Sequence, residues 1–352
     1  MLGTETSVTG GMVMAAQIVC FGEVLLRLGA PGRQLLLQSP QLDVHVGGAE
    51  ANVAVSLARL GHRARLVSVL PKNALGEAAA GELRRYGVDD GSIRWVAGRM
   101  GLYFLLPGAI HRPSEVLYDR AHSAFALASA SQFDWELELS GAEALHVSGI
   151  TPALGPELAR ATFTAIETAR RLGLRVSFDI NYRPRLWRER ETEAPKILGE
   201  LLRYADTVFA DDRDMALILG ERFESEDPLE RIEAAARMAL DAYPGLSRFA
   251  CTIRSQHSVD HHALSAVMVV RDADSIVLPA YEVVPIVDRI GSGDAFAAGL
   301  LHGLYRARGD LESLGFALAA ACLKHSLPGD FNLLTASDIE AFLGQQRFDV
   351  RR

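Results

Sequence analysis

The chain has 352 residues, 49% hydrophobic and 23% charged, with a formal net charge of −8. This balance belongs to folded globular proteins and excludes disordered and fibrous classes. The acidic excess excludes a general nucleic-acid binder, which needs clustered Lys and Arg, and the lack of any apolar run of about 18 residues excludes a simple membrane span.

Residues 1–16 lack a basic n-region and carry Glu5, so they read as a flexible extension rather than a signal peptide, and Met14 could serve as the initiator. From residue 17 to about 345 short apolar runs alternate with longer helical periods, the pattern of one α/β domain with a largely parallel sheet. Ile18 to Phe21 begins it as a buried strand. Ala49 to Leu60 is a helix with Gly61 just past its end; Arg65 to Leu70 is a strand, and Leu75 to Tyr86 a helix closed by Gly87. The rhythm continues with strand Ala144 to Val147, helix Pro156 to Leu172, strands Arg175 to Asp179 and Thr207 to Ala210, and helix Pro228 to Ala242. Strands near Phe249 to Ile253 and Ser265 to Val270 precede three closing helices, Asp294 to Ala307, Leu311 to Lys324 and Ala336 to Leu343.

Two stretches, about 24–46 and 101–124, contain short extended pieces with no helix between them. A sheet that packs on nothing does not hold, so these pieces are expected to pair and lie as a lid over the C-terminal edge of the main sheet, where ligands of open α/β sheets bind. Exposed lid edges are often covered by a second copy, which predicts a homodimer through the lid.

Cys20, Cys251 and Cys322 are odd in number, far apart and in apolar contexts, as expected of buried thiols in a reducing, cytoplasmic compartment. His257, Asp260, His261 and His262 fall in a polar stretch that reads as a loop, where histidines need no ligand, and no metal ligand is assigned.

Gly291-Ser292-Gly293-Asp294 opens an apolar helical run. Glycines let consecutive amides turn toward one point, and the helix adds its positive end, giving an anion hole. A carboxylate at its edge repels an anion but can accept a proton from an attacking hydroxyl. The same run also reads as a tight turn with a capping Asp. Gly47 to Asn52 again sets glycines before a helix, with an Asn whose other reading is local capping. A dinucleotide-binding Gly-x-Gly-x-x-Gly is missing after the first strand, and no Gly-x4-Gly-Lys-Ser/Thr loop occurs.

With these two motifs in an α/β frame, the chain resembles the ribokinase-like, or PfkB, family of ATP-dependent sugar kinases from Gln17 to about Leu343. Several stretches are most similar to 2-keto-3-deoxygluconate kinases: Phe21 to Glu23, Gly47 to Ala54, Tyr118 to Arg120, Ser148 to Leu154, Asp179 to Arg183 and Leu186-Trp187. The resemblance implies a ribokinase-like fold, a mostly parallel sheet flanked by helices with a small inserted β-sheet lid. It also implies transfer of the ATP γ-phosphoryl group to the primary hydroxyl of the sugar acid, giving the 6-phosphate, with Mg²⁺ arriving on the nucleotide.

By the same resemblance Asp294 is the catalytic base and Gly291, Ser292 and Gly293 form the anion hole. Gly48, Ala49, Glu50, Asn52, Tyr103, Tyr118, Arg120, Arg183 and Asp330 are substrate contacts, the arginines suiting a carboxylate. Arg120 also reads as a surface residue and Arg183 as a strand-end ion pair. Thr252 and Arg254, with Gly291 and Gly293, are nucleotide contacts, although Thr252 to Ser258 has no glycine where relatives carry a Gly-rich loop. Asp288-Arg289 and Ser292 depart from the family's Asp-Thr and Ala without removing a backbone donor. Asp294 is expected to keep an ordinary carboxyl pKa near ~3.9 and to take its proton late. The alternatives are a kinase of the same family for a neutral sugar such as fructose or ribose, and a non-catalytic sugar-acid or nucleotide sensor on the same fold.

Overall fold

The computed structural model describes residues 17–344; the expected extension and the Met14 start lie outside them. Nine strands form the main sheet: β1 (Gln17–Phe21), β4 (Arg63–Pro71), β5 (Ile93–Val96), β8 (Ala144–Ser148), β9 (Arg175–Asp179), β10 (Thr207–Phe209), β11 (Arg248–Ser258), β12 (His261–Val270) and β13 (Ile276–Val283). Four more, β2 (Leu25–Gly29), β3 (Asp43–Gly47), β6 (Gly101–Leu106) and β7 (Glu115–Asp119), form a separate sheet.

The main order is β13-β12-β11-β10-β9-β8-β1-β4-β5. It is parallel from β5 to β11 and ends in an antiparallel β11-β12-β13 meander. Strand β1 is apolar at Ile18-Val19-Cys20-Phe21 and buried throughout because helices cover both faces of a parallel sheet. Its side chains alternate between two cores: Val19 and Phe21 join one, which contains helices Pro156–Arg171 and Pro228–Ala242. Ile18 and Cys20 join the other, with helices Ala49–Arg59, Ser292–Tyr305 and Asp310–Lys324. Among the described residues no helix is long and apolar enough to cross a membrane.

The two irregular stretches do pair, in the order β3-β2-β6-β7, with β2 and β6 parallel and the outer pairs antiparallel. The lid is tied to the C-terminal third of the chain. Arg27 of β2 donates to Asp288 at 2.6 Å and lies 3.2 Å from the Asp330 carboxylate, which accepts at 2.5 Å from the Tyr103 hydroxyl of β6.

The polar stretch around residue 257 differs from its expectation as a loop. Strands β11 and β12 run several residues further than their apolar cores and meet in a hairpin, paired out to Ser258 and His261. Thr252 to Ser258 is therefore strand, with no room for the glycine-rich loop that the family pattern suggested. Backbone pairing continues past the core because a ladder needs no apolar side chains on a solvated face.

Candidate active site

Helix Ser292–Tyr305 starts on Gly291, whose φ of 80° is left-handed and whose missing Cβ leaves space for the Asp330 carbonyl, so an alanine would collide there. The first helical bond runs from the Ala295 amide to the Gly291 carbonyl at 2.9 Å, so the Gly293 and Asp294 amides precede the ladder. No atom lies within 4 Å of a Cβ built on Gly293, so this rim is open. The loop is held from behind: Asp288 accepts from the Ile290 amide at 3.0 Å, the Gly329 amide at 3.0 Å and Arg27.

Asp294 is half-buried in the first turn, and its carboxylate accepts a 2.7 Å hydrogen bond from the Asn52 side-chain amide. The expected ordinary pKa is corrected here. Burial lifts it to about 7; the Asn52 bond and Arg183 pull it back in part, while Glu50 and Asp330 raise it further. A carboxyl that titrates near neutrality is well suited to accept a proton.

Asn52 is carried by the helix that starts after Gly48, whose φ of 140° and closeness to the Glu23 carbonyl again demand glycine. With its amide on Asp294, its buried Oδ1 has no partner, an acceptor ready for a substrate hydroxyl. Ala49 begins the helix beside it, and Glu50 is fully buried and already bonded. The Glu50 carboxylate accepts from the Ser148 amide at 3.1 Å, the Ser148 hydroxyl at 2.7 Å and the Thr151 hydroxyl at 3.2 Å, pinning the end of β8 to the helix.

The arginines separate by what they already hold. Arg120, on the lid, is buried; it donates from Nε to Glu23 at 2.8 Å and packs over the exposed Tyr118 ring, 5.9 Å from its centroid. Its charge is spent. Asp330 is likewise only 2% exposed and engaged by Tyr103 and Arg27. Arg183 is exposed, donates among the described residues only to the neighbouring Tyr182 carbonyl at 3.2 Å, and is close enough to influence Asp294, Asp179 and Asp214 electrostatically. Arg185, two residues on, bonds the Val116 carbonyl of β7 at 2.8 Å, so this segment bridges β9 and the lid.

Thr252 is half-buried on β11 and Arg254 is exposed two residues further along the same strand. Loss of water, with Arg289 and Arg213 nearby, lowers the Arg254 pKa. Mutual repulsion of this kind is relieved by an anion such as a polyphosphate.

Sequence reasoning gave no role to Arg27, Glu23, Asn181, Asp179 or Asp214. Asp179 follows a rule legible in the chain, a polar residue at the C-terminal end of a parallel strand, while Asp214 lies in the first turn of the helix after β10. Burial raises both carboxyl pKa values, with Asp294 adding at Asp179 and Asp211 at Asp214. Asn181 has φ 41° and an unpartnered buried Oδ1, strain of the kind stored at functional sites. Asp211 is taken by the Arg213 side chain and by the Arg213 and Asp214 amides of its own helix start, so no protein ligand is assigned to a Mg²⁺ arriving on a nucleotide.

Residues 15–335 match the family model described as pfkB family carbohydrate kinase. The 2-dehydro-3-deoxygalactonokinase of Haloferax volcanii is 30% identical over 338 residues, covering 94% of this chain and 97% of its own. The 2-dehydro-3-deoxygluconokinase of Bacillus subtilis is 28% identical, covering 95% and 97%. Among solved structures, the 2-dehydro-3-deoxygluconokinase of Thermotoga maritima superimposes with a TM-score of 0.89 at 40% identity, covering 94% of this chain and 100% of its own.

Proposed function

The chain belongs to the pfkB family of carbohydrate kinases, and from that premise we propose that it phosphorylates 2-keto-3-deoxygluconate on its primary hydroxyl, using ATP. Asp294 accepts the hydroxyl proton as the oxygen bonds to phosphorus, Asn52 orients Asp294 and the sugar together, and the Gly291 and Gly293 amides hold the transferring group, the Ser292 amide being bonded to the Arg289 carbonyl at 3.4 Å. Proton acceptance contributes roughly 10²–10⁴ in rate, with positioning and charge stabilisation supplying the rest.

One observation carries the acid-sugar reading: Arg120 is neutralised by Glu23, whereas Arg183 is exposed near Asp294 and forms no close ion pair among the described residues. A guanidinium in that position suits a substrate carboxylate, which a neutral sugar lacks. Arg254, exposed on β11 with Arg289 nearby, is assigned to the nucleotide phosphates, while Arg213 is already paired with Asp211. The name of the Haloferax relative favours a second reading, the galactonate epimer, which has the same carboxylate and primary hydroxyl. We also assign the protein to the cytoplasm, supported by three free cysteines that are all buried. A homodimer through the lid is supported by Val44, Leu117 and Tyr118 exposed on its two edge strands.

A coupled ATP assay with both sugar acids, fructose and ribose at equal concentration tests the substrate. 2-Keto-3-deoxygluconate should give the highest kcat/KM, and Arg183→Ala should lower it at least tenfold more than it lowers turnover of a neutral sugar. A neutral sugar turned over best would refute the assignment. Light scattering should give twice the chain mass; a single-chain mass would refute the dimer.

A further inference from the structure

The β11–β12 hairpin carries a cluster that phosphoryl transfer does not use. Gln256 pairs with His262 and Ser258 with His261, which leaves His257 as the extra residue of a bulge. A bulge re-aims the side chain it inserts, and here the His257 ring stands beside His261, with centroids 4.7 Å apart. Glu282 reaches in from β13, its Oε2 lying 2.6 Å from His261 Nε2. One ligand atom from each of the three lies within 4.8 Å of the others.

We propose that His257, His261 and Glu282 form a binding site for a divalent transition metal, Zn²⁺ foremost, distinct from the cation that accompanies ATP. Two imidazoles and one carboxylate suit Zn²⁺, Ni²⁺ or Cu²⁺ rather than Mg²⁺ or Ca²⁺, which prefer oxygen. Tetrahedral zinc with bonds of about 2.0–2.2 Å sets its ligand atoms about 3.4 Å apart. The cluster must therefore contract by at most about 1.4 Å, from within 4.8 Å to about 3.4 Å, and His257 and Glu282 are exposed and free to turn. On binding, the His261–Glu282 hydrogen bond is exchanged for two metal bonds, and the proton shared at His261 Nε2 is relocated through solvent to Nδ1 so that the ring stays a neutral ligand.

The consequence reaches the lid. A bound ion staples β11, β12 and β13 together just below the hairpin tip. There the Asp260 carboxylate accepts from Arg33 of the lid at 2.8 Å, and its carbonyl accepts from the Ile286 amide at 2.9 Å.

The test is a calorimetric titration of the metal-stripped full chain with ZnCl₂, without ATP. Wild type should bind one equivalent, His257→Ala and Glu282→Gln should each bind at least tenfold more weakly, and His257→Ala/His261→Ala should not bind. Zinc should raise the melting temperature of wild type alone, and in EDTA all variants should melt with wild type. His257→Gln provides a milder change if a truncation disturbs the hairpin. Wild type that binds no zinc, or variants that bind it as wild type does, would overturn the proposal.

Discussion

Asp294 must be deprotonated to accept a proton. With its pKa near 7, kcat/KM at saturating Mg-ATP should fall about tenfold per pH unit below neutrality. A profile flat down to pH 5 would rule it out as the titrating base. Asp294→Asn should keep sugar binding while kcat drops at least a hundredfold. The same residue bears on stability. A carboxyl whose folded pKa lies above its unfolded ~3.9 favours folding while protonated and opposes it as pH rises through the folded value. Removing that charge should leave the melting temperature at pH 8 equal to or above that of wild type, the mark of a group kept for chemistry rather than stability.

At the scale of elements, the anion-hole loop and the lid share Arg27, which is 3% exposed between Asp288 and Asp330. Arg27→Met fills much of the same volume but strands two carboxylates in the interior, a loss of about 3–5 kcal/mol where one partner of a buried pair is removed. Chemical denaturation should report it; a midpoint within error of wild type would mean that the three groups are not coupled. This latch was not legible in the chain, because ion-pair partners 261 residues apart leave no local pattern. What was legible is what local chemistry dictates. Apolar runs gave most of the main-sheet strands, and glycines at helix ends bounded Ala49–Arg59 and Ala74–Arg85. The glycine motifs pointed to the helix start of Asp294 and to that of Asn52, which the fold then brings within a hydrogen bond. The outer half of β11 and β13 escaped notice for opposite reasons. The former is polar on both faces beyond the core, and the latter carries Pro279, which only an edge strand tolerates. Helix Asp212–Leu219 was missed because it is short and opens on three charged residues.

Across the whole molecule, buried histidines oppose the acids in their response to pH. Burial pushes His62 and His146 down to about 3 and His302 to about 4, so each must stay neutral in the fold. A histidine with a lowered folded pKa contributes stability above its unfolded value near ~6.5 that is lost as pH falls toward the folded value. The acids whose pKa values are raised act in the opposite sense, so a difference between variants isolates the effect. Wild type should lose stability relative to His146→Asn between pH 7 and pH 5, by up to about 2 kcal/mol. A gap independent of pH would mean that His146 is not held neutral.

The placement of Asp330 has one more consequence. Its carbonyl fills the space at Gly291, its carboxylate holds Tyr103, and it lies close to the end of the fold. One residue thereby sets the spacing between the Gly291 turn and the lid, so a shift of its backbone displaces both at once.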